Sequence, residues 1–280
     1  QAKVVFGGIA YDFFTDQDKL HPENNGPFVR AFFENVLKSG GGPYFDVMNF
    51  HFYPLFGPNW TPNFPKDGPG LAEKAASVRA TMTKYGIDKP IIVTEAGWHN
   101  NSGSPFGSDS LQVRYVQMLY TQAKAAGISM MAWWPFVDAG GSYALHSGLV
   151  TEAITGKPTL KPAYHAFIVF GREIAGADFV AEIKTEADAK VYRLYDSAGK
   201  RTIYVGWTNP TDLASTFGTM APYKDTSRSI TVSLIGSTAT VYDAFWTKIA
   251  DVTDGSDGKN DNRLRVPING NPRYIVIKDN

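Results

Sequence analysis

The sequence predicts an α/β region built from four βα units, followed by an antiparallel all-β region. Three observations carry this. Short apolar runs alternate with amphipathic stretches at a repeat of roughly 40 residues, the spacing of parallel strands joined by helical crossovers. Gly40, Gly86, Gly127 and Gly171 or Gly176 fall where those helices should stop. After about Gly176 the helical period disappears and β-rich runs separated by turn residues take over. The expected division is residues 1–176 and residues 177–280.

Taken in order, AKVVFGGIAYD (Ala2 to Asp12) reads as the first strand and GPFVRAFFENVLKSG as its helix. FDVMNFHFYP (Phe45 to Pro54) precedes the helical LAEKAASVRATMTKYG. PIIVTEAGW precedes LQVRYVQMLYTQAKAAG, and ISMMAWWPF (Ile128 to Phe136) precedes LKPAYHAFIVFGREIAG. In the second region VYRLYD, TIYVGWTN, SITVSLI, ATVYDAFW, RLRVPI and RYIVIKD read as strands of a sandwich of about 100 residues. Turn signals such as Asn209-Pro210 and Asn269-Gly270-Asn271 separate them. The acidic positions Asp251, Asp254, Asp257 and Asp261 do not have the spacing of an EF-hand and read as a hairpin loop.

Composition narrows the function classes. The 27 basic and 27 acidic residues cancel, so no net field draws nucleic acid or an anionic membrane, and neither is an expected partner. With no cysteine, disulfides, thiolate nucleophiles and Cys-ligated zinc are excluded. No apolar run approaches the roughly 18 residues that span a bilayer, and the amino terminus lacks the segments of a signal peptide. A start at Gln1, close to a strand, suggests a piece of something longer. The compartment stays open, with a secreted or extracellular setting favoured. Aromatic residues make up 14% of the chain, and several sit where strands should end, where a ring can stack on a sugar face.

In βα folds the ligand sits at the carboxyl ends of the strands. In the second strand Asn49, His51 and Tyr53 share one face, while Phe50 and Phe52 share the face suited to helices. In the third strand, strict alternation puts Ile91, Val93 and Glu95 on one face, directed away from the helices. Asp12 closes the first strand. The fourth delivers Trp133 and Trp134 side by side, one of which must face the site, and Asp138 follows it. Each has a plainer reading as well. Glu95 could be a cap or ion-pair partner, His51 a satisfied core histidine, and Trp98, Trp133 and Trp134 core rings. His99 and the polar stretch Asn100 to Ser104 read as a solvated loop.

At these residues the chain resembles the clan of retaining glycoside hydrolases built on a (β/α)8 barrel, in which a nucleophilic glutamate ends strand seven and an acid/base glutamate ends strand four. TEAGW is similar to the strand-seven motif, HFYP to the strand-six segment whose His and Tyr line the site, and AWWPFVD to strand eight with its sugar-platform tryptophan. The resemblance covers about the first 176 residues, and many members of that clan carry a trailing β-sandwich. It implies half of a TIM-type barrel, strands five to eight, acting on β-linked sugars. Glu95 would be the nucleophile, Tyr53 its hydrogen-bonding partner and His51 a ligand of a sugar hydroxyl or of the acid/base. Trp133 would form the subsite floor, with Trp134, Trp98, Asn49, His99 and Asp12 as further candidate contacts. No metal or organic cofactor is implied.

Strands one to four, with the Asn-Glu pair that would supply the acid/base, are missing. A retaining mechanism needs two carboxyl groups roughly 5 to 5.5 Å apart, and Asp12 is the sole substitute at a neighbouring strand end. An open four-stranded sheet also leaves two edges and an inner face in water, which favours a homodimer or a complementary N-terminal half-barrel as partner. The rival reading is a non-catalytic carbohydrate-binding or assembly half-barrel. A doubly wound nucleotide binder is disfavoured, because Gly7-Gly8 is not part of a G-x-G-x-x-G.

Overall fold

The computed structural model describes residues 2–9, 32–53, 70–101, 107–138, 146–151, 156–185, 189–208 and 229–278. The protein is a mixed α/β structure with four helices among the described residues. These are α1 (Phe32–Lys38), α2 (Leu71–Lys84), α3 (Asp109–Ala125) and α4 (Pro162–Glu173). Three parallel strands, β1 (Met48–Phe52), β2 (Ile91–Ala96) and β3 (Ile128–Trp133), lie side by side in that order.

Residues 2–9 run parallel to β1 on its free side. Val5 bridges to Val47 and Ile9 to Phe50, the Phe6 amide donates to the Val47 carbonyl at 2.8 Å, and the His51 amide donates to the Ile9 carbonyl at 2.9 Å. The expected first strand is therefore two bridges rather than a continuous ladder, and Tyr11 and Asp12 lie outside the described residues. Gly7 and Gly8, which weaken a strand interior, sit between the bridges.

The helices follow their apolar periods. In α2 the buried positions are Leu71, Lys74, Ala75, Val78 and Met82, a stripe at helical spacing that includes a lysine. Gly86 at φ +69° ends the helix, its amide donating to the Thr83 carbonyl, a left-handed stop that a side chain would strain. Ser108 caps α3 by accepting from the Leu111 amide at 3.1 Å. That helix is buried almost all round. Its Leu119 packs into the parallel sheet's core with Phe50, Val93 and Trp98, whereas Met118 packs into a second core.

The second core explains the rest of the chain. A six-stranded antiparallel sheet has the order β4 (Asp178–Glu182), β5 (Ala189–Asp196), β6 (Arg201–Thr208), β11 (Arg273–Lys278), β8 (Thr238–Tyr242) and β9 (Lys248–Thr253). One face, with Tyr192, Leu194, Ile203, Val205, Trp207 and Tyr274, packs on Met118 of α3 and on Val169, Phe170 and Ile174 at α4. The other face, with Val191, Tyr204 and Ile275, packs on a separate antiparallel pair, β7 (Ile230–Ile235) and β10 (Arg263–Ile268), through Val232, Leu234, Leu264 and Val266. Covered on both sides, β6 is buried along nearly its whole length.

Two strands lay outside the sequence expectation. Neither β4 nor β9 shows an apolar alternation, since both lie at the edges of the six-stranded sheet with mostly exposed side chains. The reading of Asp251 as part of a hairpin loop is corrected accordingly. It lies in β9 and accepts from the Thr240 hydroxyl of β8 at 2.9 Å, and only Asp254, Asp257 and Asp261 occupy the connection to β10.

Candidate functional site

The carboxyl ends of β1, β2 and β3 bring Asn49, His51, Tyr53, Glu95 and Trp134 together. In the β1–β2 ladder Met48 pairs with Ile91, Phe50 with Val93, His51 with Glu95, and Phe52 with Ala96, with a register shift between Phe50 and His51. Paired residues point to the same face. Ile91, Val93 and Ala96 therefore join Phe50 and Phe52 in the helix-covered core, and a bulge over Thr94 and Glu95 turns the glutamate to the face of His51. Strict alternation, which put Glu95 on the face of Ile91 and Val93, fails at this one extra residue.

The bulge has a specific support. An interrupted ladder leaves a backbone donor to satisfy, and the Asn49 Oδ1 accepts from the Thr94 amide at 3.2 Å and from the Thr94 hydroxyl at 3.0 Å. Asn49 is buried, and its carbonyl is spent on the neighbouring strand. It supports the glutamate's backbone instead of lying open to a substrate.

Glu95 is held through one oxygen. The Tyr53 hydroxyl donates to Oε2 at 3.0 Å, and His51 Nδ1 stands 3.3 Å from the same atom. Among the described residues Oε1 has no hydrogen bond, and the side chain is 30% exposed. This arrangement fixes the carboxylate's orientation while leaving one oxygen available. His51 is itself positioned from behind. Its carbonyl accepts from Lys74 Nζ at 2.7 Å, the buried ammonium lying 5.0 Å from the Phe50 ring centroid. On the other side of the imidazole passes Gly8, where a Cβ would stand 2.1 Å from Nε2.

The two adjacent tryptophans separate as alternation requires, and Trp133, the expected floor, is the one on the core face. Trp133 pairs with Ala96 on the core face, is 8% exposed, and donates from its indole to the Ser147 carbonyl at 2.7 Å. Trp134 is 43% exposed and meets the Tyr53 ring edge-on at 6.4 Å. The indole on the glutamate's side is Trp134.

Trp98 and His99 are also placed differently from the expectation. Trp98 is buried, stacked on Tyr115 of α3 at 3.9 Å, and His99 is buried beside it with its ring 5.7 Å away. His99, which read as part of a solvated loop, turns inward because Gln112 of α3 donates to the carbonyls of Trp98, Ser147 and Gly148; positions 102–104 of that stretch lie outside the described residues. Burial, reinforced by the charges of His146 and Lys161, pulls the His99 pKa down to about 4. Nearby, Lys161 Nζ lies 2.7 Å from Asp138 Oδ2 and also donates to Asn100 Oδ1 and the His146 carbonyl. Asp138 in turn accepts from the Gly148 amide. This buried network ties the loops after β2 and β3 to the start of α4. Burial lowers the Lys161 pKa, and the aspartate opposes that shift.

Gly8, Lys74, Gln112 and Lys161 were not singled out from the sequence. Lys74 could have been, because it falls on the apolar stripe of its helix. The others have no local signal. Asp12 lies outside the described residues. Among the described residues, no group of three or more His, Cys, Asp or Glu is placed to hold a metal ion, and no helix is long and apolar enough to cross a membrane.

No protein-family model and no curated protein matches the sequence. Solved structures do match the fold. A family 39 glycoside hydrolase from the gut symbiont Bacteroides cellulosilyticus WH2 superposes with a TM-score of 0.64 at 19% identity, covering 89% of this chain and 47% of that one. A glucosidase from Croceicoccus marinus gives 0.57 at 14% identity, with 99% and 61% covered. A β-porphyranase of glycoside hydrolase family 86 from Bacteroides plebeius gives 0.53 at 15% identity, with 98% and 47% covered. The chain thus spans about half the length of most of these proteins. What it shares with them is a glycoside hydrolase-like fold.

Proposed function

We propose that this chain is the nucleophile-bearing half of a retaining glycoside hydrolase acting on β-linked sugars. Residues 2–9 and β1, β2 and β3 would correspond to barrel strands five to eight, and the antiparallel sheets to an appended sandwich. The observation that carries the reading is the tethering of Glu95 Oε2 by Tyr53, beside His51, with Oε1 left open at the end of a parallel strand.

In this scheme Glu95 Oε1 attacks the anomeric carbon as the glycosidic C–O bond breaks. The departing oxygen takes a proton from a carboxylic acid supplied by another chain or half, and water then releases the sugar from the ester. Tyr53 keeps the carboxylate aligned, His51 binds a sugar hydroxyl or the acid, and the exposed face of Trp134 carries the ring. No metal or organic cofactor takes part.

The missing acid suggests the test. A 2,4-dinitrophenyl β-glycoside has a leaving group that departs without protonation, so the nucleophile alone should release one equivalent in a burst. Glu95→Gln should lower the burst rate by several orders of magnitude, equivalent to several kcal/mol of barrier, while sugar binding persists. With Glu95→Gly, added azide should restore turnover as a glycosyl azide. Sugar binding with no burst from the wild-type chain would instead establish the carbohydrate-binding module, a reading favoured by the lack of any second carboxylate in contact with Glu95 among the described residues.

A further inference from the structure

At two places beside the Glu95 site the chain passes a neighbour so closely that no side chain fits between them. Gly97 follows Ala96 at the end of β2, and a Cβ built on it would stand 2.6 Å from the Trp134 carbonyl oxygen, with the Trp133 indole at 3.6 Å and 3.7 Å. A Cβ on Gly8, where residues 2–9 pass β1, would stand 2.1 Å from His51 Nε2, 2.7 Å from Cδ2 and 3.0 Å from Cε1. Non-bonded carbons rest about 3.5 to 4.0 Å apart, so a methyl at either position would force its neighbour to move. Neither glycine is in the left-handed region. Space, and not backbone freedom, is what requires glycine here.

At Gly97 the neighbour is main chain and has no rotamer to change. Trp134 is fixed to β2 through its amide, which donates to the Ala96 carbonyl at 2.9 Å. The residue before it is equally held, because the buried Trp133 indole donates to the Ser147 carbonyl. A methyl at position 97 would therefore lever the Trp134 backbone off the end of β2. Trp134 carries the exposed indole beside Tyr53, so that ring would move with it.

At Gly8 the neighbour is a side chain with its backbone pinned. The His51 amide donates to the Ile9 carbonyl, and the His51 carbonyl accepts from Lys74 Nζ. Nδ1 faces Glu95 Oε2 at 3.3 Å while the Nε2 edge of the ring meets Gly8. A methyl at position 8 would occupy the place of that edge, and the imidazole would have to turn away from Glu95.

We propose that Gly97 and Gly8 are positioning residues of the Glu95 site: Gly97 sets where the Trp134 ring lies for the sugar, and Gly8 keeps the His51 imidazole against the carboxylate. The proposal rests on reading this face as a sugar site. The two gaps act on different steps. Gly97 governs affinity more than rate, because it places a stacking surface, and Gly8 governs rate more than affinity, because it places a group on the nucleophile. Misplacing a reacting group by about 1 Å can cost about 100-fold in rate.

The test compares Gly97→Ala and Gly8→Ala in the full chain, alone and combined with Trp134→Ala and His51→Ala respectively. Ligand-observed NMR titrations with cellobiose, xylobiose and lactose read affinity, and the dinitrophenol burst reads rate. Gly97→Ala should weaken the best-bound disaccharide about three- to tenfold, and no further once Trp134 is replaced. Gly8→Ala should slow the burst about ten- to a hundredfold, and no further once His51 is replaced. A merely structural defect would add to the partner substitution in both cases. Gly7→Ala serves as the control, since nothing lies within 4 Å of a Cβ at Gly7. Gly8 is exposed, so its variant should keep the fold even where the buried Gly97 substitution does not.

A third readout needs no turnover. Glu95→Gln should move the His51 Nδ1 nitrogen resonance in the wild-type background and leave it in place in Gly8→Ala. Additive losses, absence of disaccharide binding, unchanged affinity in Gly97→Ala, or a His51 resonance that still follows Glu95 in Gly8→Ala would overturn the proposal. A wild-type chain that binds sugar without a burst fails the hydrolase reading alone, because the titrations and the imidazole resonance still decide the glycines.

Discussion

Trp133 and Trp134 are chemically identical neighbours with opposite fates, which makes them a clean test at the level of single residues. Trp134→Ala should weaken oligosaccharide binding by about 1 to 3 kcal/mol with little change in stability, as expected for loss of an exposed stacking face. Trp133→Ala removes a core indole bonded to Ser147 and should cost about 3 to 5 kcal/mol of stability. Isothermal titration together with urea unfolding separates the two, and the reverse pattern would return the platform to Trp133. His99 gives a pH prediction. Its folded pKa of about 4 lies below the ordinary 6.5, so between those values the unfolded chain binds the extra proton and stability falls as pH drops. From about pH 7.5 to about pH 5 the loss should be about 2 kcal/mol, complete only below about pH 4. Urea midpoints measured across that window should show this slope, and His99→Asn should flatten it.

Among the elements, β2 carries the feature on which the site depends. Asn49→Ala would leave the Thr94 amide without its acceptor and should cost about 1 to 3 kcal/mol while also slowing the burst, because the bulge that aims Glu95 would relax. Thr94→Val keeps the amide bond and loses only the hydroxyl contact, so a smaller effect on both is expected. If Asn49→Ala lowers stability but leaves the burst rate unchanged, the bulge does not aim the nucleophile. This bulge also marks the limit of what the sequence could disclose. Period and glycine placement sufficed for three of the four helices and for the three parallel strands, whereas α4 runs through Gly171 and ends at Glu173; the alternation of β1 correctly grouped Asn49, His51 and Tyr53. An extra residue in β2 has no signature of its own, since its cause, Asn49, lies on another strand. His99 was misread as part of a solvated loop because a glutamine 13 residues beyond it draws the backbone at Trp98 inward, and Trp98 took its plainer reading as a core ring. The strands β4 and β9 escaped because an edge strand with mostly exposed side chains has no apolar face to show.

For the whole molecule, the parallel layer raises the question of assembly. Val4 and Val5 on one side of it, and Met130, Phe136 and Val137 on the other, are all 40% exposed or more. At about 25 cal/mol per Å², leaving even about 400 Å² of such surface in water costs on the order of 10 kcal/mol, comparable to a domain's whole stability. A homodimer or a complex with a complementary half-barrel is therefore the expected state. Light scattering at micromolar concentration should give at least twice the mass of one chain, and a stable monomer would show that the sheet is capped by the chain itself. The helix α3 bears on the molecule's mechanics. Leu119 and Met118, neighbours in sequence, anchor it in two different cores, so a force that pulled the antiparallel sheet away would tear apolar contacts along the length of one helix. The molecule has no low-friction seam there: α3 acts as a rivet, and the two layers should yield together or not at all.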